Sequence, residues 1–250
     1  MRILWDNLLD DYTPTASTEA AGYPATNAQQ QHLSQVWRTT GLAAETFAID
    51  AGAGNTITCD CAFVAGHNLT SGVNIHVQAC NDGTYAAPTV DEHITYRAGT
   101  MCVFFASIAA RYWRFIATDA GNTDGYIAIG RLALGAFLQM PPVEPGVALP
   151  LYSSSLVQQS VSGQSYGDKG KVFQRPAFTF PIITSAEKAL IDVMFRAVDQ
   201  VYPVFLVIWE DSLTAQGPIY CRINQDTLDW KKAPEAGLSY SVDIEFMEEF

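Results

Sequence analysis

The feature that most constrains this chain is a series of short segments in which apolar residues alternate with polar ones, punctuated by Gly, Asn, Asp and Pro. The cleanest is Val73-Asn74-Ile75-His76-Val77-Gln78-Ala79. A β-strand sends successive side chains to opposite faces, so Val73, Ile75, Val77 and Ala79 share one face and His76 points to the other. Residues 46–50 alternate in the same way, and residues 57–64 are rich in β-formers. Residues 101–108 form a nearly unbroken apolar run, and 112–116 and 126–137 complete the set. Gly52-Ala53-Gly54 lies between two of these segments and reads as a turn. Many short strands with turn signals between them predict a β-sandwich or jelly roll. Residues 7–31, rich in Thr, Ala, Ser, Gly and Gln, show neither periodicity and predict an ordered wrap or loop.

The pattern breaks at Met140-Pro141-Pro142-Val143-Glu144-Pro145-Gly146. Proline fixes φ and removes a backbone donor, so this stretch reads as a stiff connector and places a domain boundary. The expected organisation is a jelly-roll domain over residues 1–140, a linker or arm over 141–172, and a β-rich domain over 173–250. The last contains one helix, expected over 185–201. Thr184 with Glu187 three residues on makes a capping box. Ala189, Leu190, Val193, Met194, Ala197, Val198 and Val201 recur at helical spacing, and Pro203 ends the element. Strands are expected at 177–183, 204–209, 219–223 and 239–246, with Glu210 and Asp211 as a solvated strand end. In the last strand Val242, Ile244 and Phe246 alternate with acids. An amphipathic helix on an antiparallel sheet or small sandwich follows.

Composition narrows the partners. Across 250 residues, 48% are hydrophobic and only 16% charged, enough for a large core and too little charge for a disordered chain. Contact surfaces are depleted in Lys and Glu, so the low charge suits a surface covered by partners. A formal net charge of −12 repels phosphate backbones and anionic membranes, so neither nucleic acid nor membrane insertion is expected. The N-terminus turns polar where a signal peptide needs an apolar stretch, and no segment approaches the about 20 apolar residues of a membrane helix. Synthesis in a cytosol is the expectation. The five cysteines, Cys59, Cys61, Cys80, Cys102 and Cys221, contain no CxxC pair and read as buried reduced thiols.

No catalytic motif emerges: there is no GxSxG, no P-loop and no dinucleotide-binding glycine pattern. The four histidines, His32, His67, His76 and His93, have no metal-ligand spacing, and His67 falls in an expected turn. Asp82, Asp119 and Asp124 sit in Asn- and Gly-rich loops of the kind that can hold calcium but more often simply turn the chain. A glycosidase would need two carboxylates facing each other across a cleft, which one sequence does not reveal. The expectation is a non-enzyme with no cofactor and no metal. Trp5, Tyr12, Tyr23 and Trp37 lie in or beside the N-terminal loops. Loop aromatics could stack on a sugar or fill a partner's pocket, although Trp37 is read first as a core plug.

Several segments in order resemble the discoidin (coagulation factor 5/8 C-type), galactose-binding-like family. They are Ala16-Ser17-Thr18, Gly22-Tyr23-Pro24-Ala25-Thr26-Asn27-Ala28, Trp37-Arg38-Thr39, Phe47-Ala48-Ile49-Asp50-Ala51-Gly52 and Ala110-Arg111-Tyr112-Trp113-Arg114-Phe115. The resemblance spans residues 7–138 and implies an eight-stranded jelly roll. It supplies the candidate ligand-binding set Tyr23, Trp37, Arg38 and Arg114. The family's Asp-Gly-Asp stretch, which helps build its calcium site, is replaced here by Gln29-Gln30-Gln31-His32-Leu33-Ser34-Gln35, so no calcium is assigned. The run Ala65-Gly66-His67-Asn68-Leu69-Thr70-Ser71-Gly72 looks like discoidin-like domains of tailed-bacteriophage virion proteins, and the C-terminal part is similar to tube- or baseplate-type tail sandwiches. These resemblances imply a structural protein of a bacteriophage tail tip or baseplate. It would form a homo-oligomeric ring, contact other tail proteins and a possible host glycan, and reside in the virion. The alternative is a carbohydrate-binding module recognising host-surface glycans.

Overall fold

The computed structural model describes residues 1–209, 216–232 and 239–250. Glu210 and Asp211 therefore lie outside the described residues. The chain divides into two compact units, Met1–Gln139 with Val204–Tyr220 and Phe250, and Met140–Pro203 with Cys221–Glu249. The protein is mainly β, and none of its described helices is long and apolar enough to cross a membrane.

The first unit is a jelly-roll sandwich. One sheet has five strands in the order Thr15–Ala16, Glu45–Asp50, Tyr112–Thr118, Asn74–Cys80, Val90–His93. The other has four, in the order Trp37–Arg38, Ala128–Gly135, Ile57–His67, Met101–Ala110. All the described pairings are antiparallel. The expected alternation holds residue by residue: Val73, Ile75, Val77 and Ala79 are buried, and His76 and Gln78 are half-buried on the opposite face. These side chains meet Phe47, Ile49, Trp113 and Phe115 from their own sheet, and Ala62, Val64, Leu132 and Leu134 from the other, in one continuous core.

Period two fails in the four-stranded sheet, and the reason is a further layer. All eight residues of Ala128–Gly135 are buried. Cys61, Phe63, Ala65 and Ala133 face away from the main core and pack with Leu4, Phe205, Val207 and Tyr220. The strand Arg2–Leu4 pairs antiparallel with Val204–Val207, in register Ile3 to Leu206. Phe205, Val207 and Tyr220, expected in the second domain, therefore belong to the first unit, because their side chains cover its outer face. The segment 65–67, read from sequence as a turn, instead continues the strand Ile57–His67, paired to Arg131 and Ile129. The strands Arg2–Leu4, Trp37–Arg38 and Val90–His93 were not expected. The N-terminal wrap contains two short 3-10 turns, Leu8–Asp11 and Ala25–Gln29. It is pinned by Arg131, buried in the sheet, which pairs with both oxygens of Asp10.

In the second unit Ala177–Ile183 pairs with Tyr240–Glu248, setting Phe178 against Ile244 and Phe180 against Val242. The helix runs Ser185–Val198 and starts on the expected capping box. It stops three residues before the expected end, at Asp199, whose φ of 49° leaves the helical region. The expected apolar stripe splits: Met194 and Val198 are buried, together with Ile191, which lay outside it, whereas Leu190, Val193 and Val201 are exposed. Residues 151–174 form one long hairpin with two ladders, Leu151–Ser153 with Val172–Gln174 at its base and Leu156–Gln159 with Ser165–Asp168 towards its tip. Leu151, Leu156, Val157, Val161, Tyr166 and Val172 on them are all exposed.

Candidate functional site

Arg38 is the second residue of an edge strand, paired across to Ala128. Because the strand alternates, Trp37 points inward and Arg38 outward. Trp37 is 2% exposed, packs edge-on to Phe47 at 5.8 Å, and donates its indole N–H to the Thr18 carbonyl at 3.1 Å. It is a core residue and leaves the candidate binding set.

The Arg38 guanidinium lies over aromatic rings. Its carbon is 3.4 Å from the Tyr126 ring centroid and 5.6 Å from that of Tyr23. Its Nε is buried without a hydrogen-bond partner among the described residues. Tyr23 is 41% exposed, which leaves ring surface open to a ligand. The turn that presents it needs Gly22 at φ +83°, a left-handed conformation that glycine adopts without steric cost. The turn is tied to the strand by Arg38 N–H to the Tyr23 carbonyl at 3.2 Å, and Ala20 N–H to the Arg38 carbonyl at 2.8 Å. Beneath it, the buried Glu45 carboxylate accepts the hydroxyls of Ser17 and Thr18 at 2.5 and 2.6 Å.

Tyr126 is held from the other side by a network of short polar residues. Asp119, fully buried, accepts the Thr70 amide at 2.8 Å and the Thr70 hydroxyl at 2.5 Å. Asn68 donates to the Asp124 carboxylate at 2.9 Å and to the Tyr126 carbonyl at 3.0 Å, and accepts from the Ala128 amide at 2.7 Å. The carboxylates of the two Asn-rich loops are thus engaged in shaping the chain. Asp82 likewise accepts the amide and hydroxyl of Thr84, which hold its carboxyl below the usual range. No group of three His, Cys, Asp or Glu side chains converges as a metal cage among the described residues. All five cysteines are buried and unpaired; burial pushes the Cys102 thiol up to about 12 and the thiols of Cys59, Cys61 and Cys221 up as well, so they stay protonated.

Arg114, the remaining candidate, is not part of this cluster. It lies on the solvent face of the five-stranded sheet, donates Nε–H to Gln78 at 2.8 Å and stacks on Tyr85 at 3.9 Å. Sequence reading missed Tyr126, Tyr85, Asn68 and Asp119 as contributors. A search for aromatics next to Asn- and Asp-rich loops finds the first two. Nothing in the spacing of Thr70 and Asp119, or of Asn68 and Asp124, announces that they meet.

No family model matches the chain, and no curated protein matches it. Solved structures similar to it include the lectin domain of lectinolysin complexed with Lewis b antigen, at 17% identity and a TM-score of 0.42, covering 52% of this chain and 96% of that one. Chitosan-binding module 1 of the chitosanase/glucanase from Paenibacillus sp. IK-5 is 21% identical, with a TM-score of 0.41 over 51% of this chain and 96% of the module. The family 32 carbohydrate-binding module of NanJ from C. perfringens, in complex with galactose, is 14% identical with a TM-score of 0.42, over 54% and 98%.

Proposed function

We propose that the first unit is a carbohydrate-binding domain whose ligand seats on Tyr23 and Arg38. The observation that supports this is the Arg38 guanidinium packed over the Tyr126 ring at 3.4 Å and near Tyr23, whose own ring is part exposed. A pyranose has an apolar C–H face and a rim of hydroxyls. An exposed tyrosine takes the face, and an arginine donates to the rim. Arg38 is already ordered by Tyr126 before any ligand arrives, so little side-chain entropy is lost on binding. The test is a glycan array followed by calorimetric titration of the hits. Tyr23→Ala and Arg38→Ala are each expected to weaken binding about tenfold, equivalent to roughly 1.4 kcal/mol, with unfolding midpoints unchanged. A silent array overturns the reading.

A second reading is a structural component of a larger particle such as a bacteriophage tail tip or baseplate, assembled as a ring with other tail proteins. The long hairpin of residues 151–174 favours it. A two-stranded hairpin alone is marginal in water, and this one exposes its apolar side chains, so a partner surface would complete it. Mass and shape in solution, and detection in purified virions, test this reading. A chain that stays monomeric and never joins a particle rules it out.

A further inference from the structure

We infer that the solvent face of the five-stranded sheet carries a second carbohydrate subsite, centred on Gln78 and Arg114 and selective for neutral sugars with vicinal hydroxyls. This rests on reading the first unit as a carbohydrate-binding domain, and adds a site separate from Arg38, which lies on the other sheet. The face holds a depression of about 270 Å³ lined by Asn74, His76, Gln78, Asp91, Ile116 and Thr118.

The register explains why these residues meet. Gln78 sits opposite Arg114 on one side and Asp91 on the other, and His76 sits opposite Ile116. The polar side chains then tie each other down. Asp91 Oδ1 accepts from Gln78 at 2.9 Å and is 2.8 Å from His76 Nδ1; His76 Nε2 is 3.0 Å from Asn74 Oδ1; Gln78 Oε1 accepts from Arg114 at 2.8 Å. An ordinary solvated sheet face carries separate, mobile charges. Here one chain of hydrogen bonds fixes the orientation of five side chains with no ligand present, which is how a binding face reduces its ordering cost.

Tyr85 adds an independent sign. It stacks on Arg114 while its backbone sits at φ +54°, where a bulky side chain is strained, and its buried hydroxyl has no partner among the described residues. Strain of this kind concentrates at functional sites, because the surrounding fold has to enforce it. Its effect here is to hold Arg114 over the sheet. With Nε used on Gln78, the terminal nitrogens of Arg114 remain as donors and Asp91 Oδ2 remains as an acceptor. A vicinal diol both accepts and donates, so it matches that pair, and Ile116 offers an apolar floor for C–H groups. The Asp91 carboxylate disfavours a carboxylated sugar.

The test is calorimetric titration of the full chain with cellotetraose, β-1,4-galactotetraose and chitotetraose, with tetragalacturonate as the charged control. Wild type, Arg38→Ala, Gln78→Ala, the isosteric Gln78→Glu and the doubles Arg38→Ala/Gln78→Ala and Arg38→Ala/Gln78→Glu are compared, each with its unfolding midpoint. For at least one neutral oligosaccharide, wild type is expected to bind two equivalents and Arg38→Ala one. Gln78→Ala and Gln78→Glu in the Arg38→Ala background should weaken the remaining site at least tenfold, and tetragalacturonate should not occupy it. Binding abolished by Arg38→Ala and untouched by either Gln78 substitution overturns the second subsite alone. Binding untouched by Arg38→Ala and lost with both Gln78 substitutions overturns the Arg38 site and supports this one. Silence of the wild type overturns both.

Discussion

Trp37 and Arg38 are neighbours in sequence and have opposite roles because a strand sends them to opposite faces. The indole fills the core against Phe47, while the guanidinium lies outside against Tyr126. Trp37→Ala is therefore expected to cost about 3–5 kcal/mol in urea unfolding, whereas Arg38→Ala should stay within about 0.5 kcal/mol of wild type. His67 makes a different residue-scale prediction. Its Nδ1 accepts the Leu69 amide at 3.2 Å, which leaves Nε2 to donate to the Gly99 carbonyl at 3.0 Å. Only the neutral ring can make both bonds. Burial holds its pKa below the ordinary histidine value, outweighing the carbonyls of Gly99 and Arg97 that favour the proton. The unfolded chain then binds more protons than the folded one below about pH 6.5, so this residue's contribution falls on acidification from there down to its folded pKa. In His67→Gln, stability measured from pH 7 to pH 5 should lose that part of its slope; an unchanged slope contradicts the assignment.

At the scale of elements, the helix was read more reliably at its start than on its surface. The capping box forms in full, with the Thr184 hydroxyl taking the Glu187 amide at 3.2 Å and the Glu187 carboxylate taking the Thr184 amide at 2.8 Å. Thr184→Ala should lower stability by about 0.5–2 kcal/mol in denaturant titration. Capping depends on four consecutive residues, so sequence suffices to see it. Which side of the helix is buried does not: apolar residues occupy both Ile191-Met194-Val198 and Leu190-Val193, and only the first set is covered. The strands show the same division. Asn74–Cys80 faces water on one side and alternates legibly, whereas Ala128–Gly135 is covered on both and carries no alternation to read.

At the scale of the whole molecule, the chain returns to its first unit. The strand Val204–Val207 lies there, where Phe205 stacks on Phe63 at 4.7 Å and lies 4.8 Å from Tyr220. Phe205→Ala should therefore cost about 3–5 kcal/mol. The loss should appear in the unfolding of the jelly roll, read by the near-ultraviolet signal of its buried tryptophans. A jelly roll that unfolds as in wild type would mean that this outer layer is dispensable.

The sequence by itself determined the β-rich class, the strands with one wet face and the helix cap. Each depends on neighbours along the chain or on a period of two. Tyr23 was visible locally as a loop aromatic, whereas Arg38 came forward only through the resemblance of the segments around it. Only the tertiary structure decided that Tyr126 lies under Arg38, that Trp37 is core, that Gln78 joins Asp91 to Arg114, and that Phe205, Val207 and Tyr220 complete the first unit. Those facts depend on register and on contacts between distant segments, such as Ile3 with Leu206. Local pattern can show that a segment is a strand. Its partner is set by which pairing buries the most apolar surface across the whole chain.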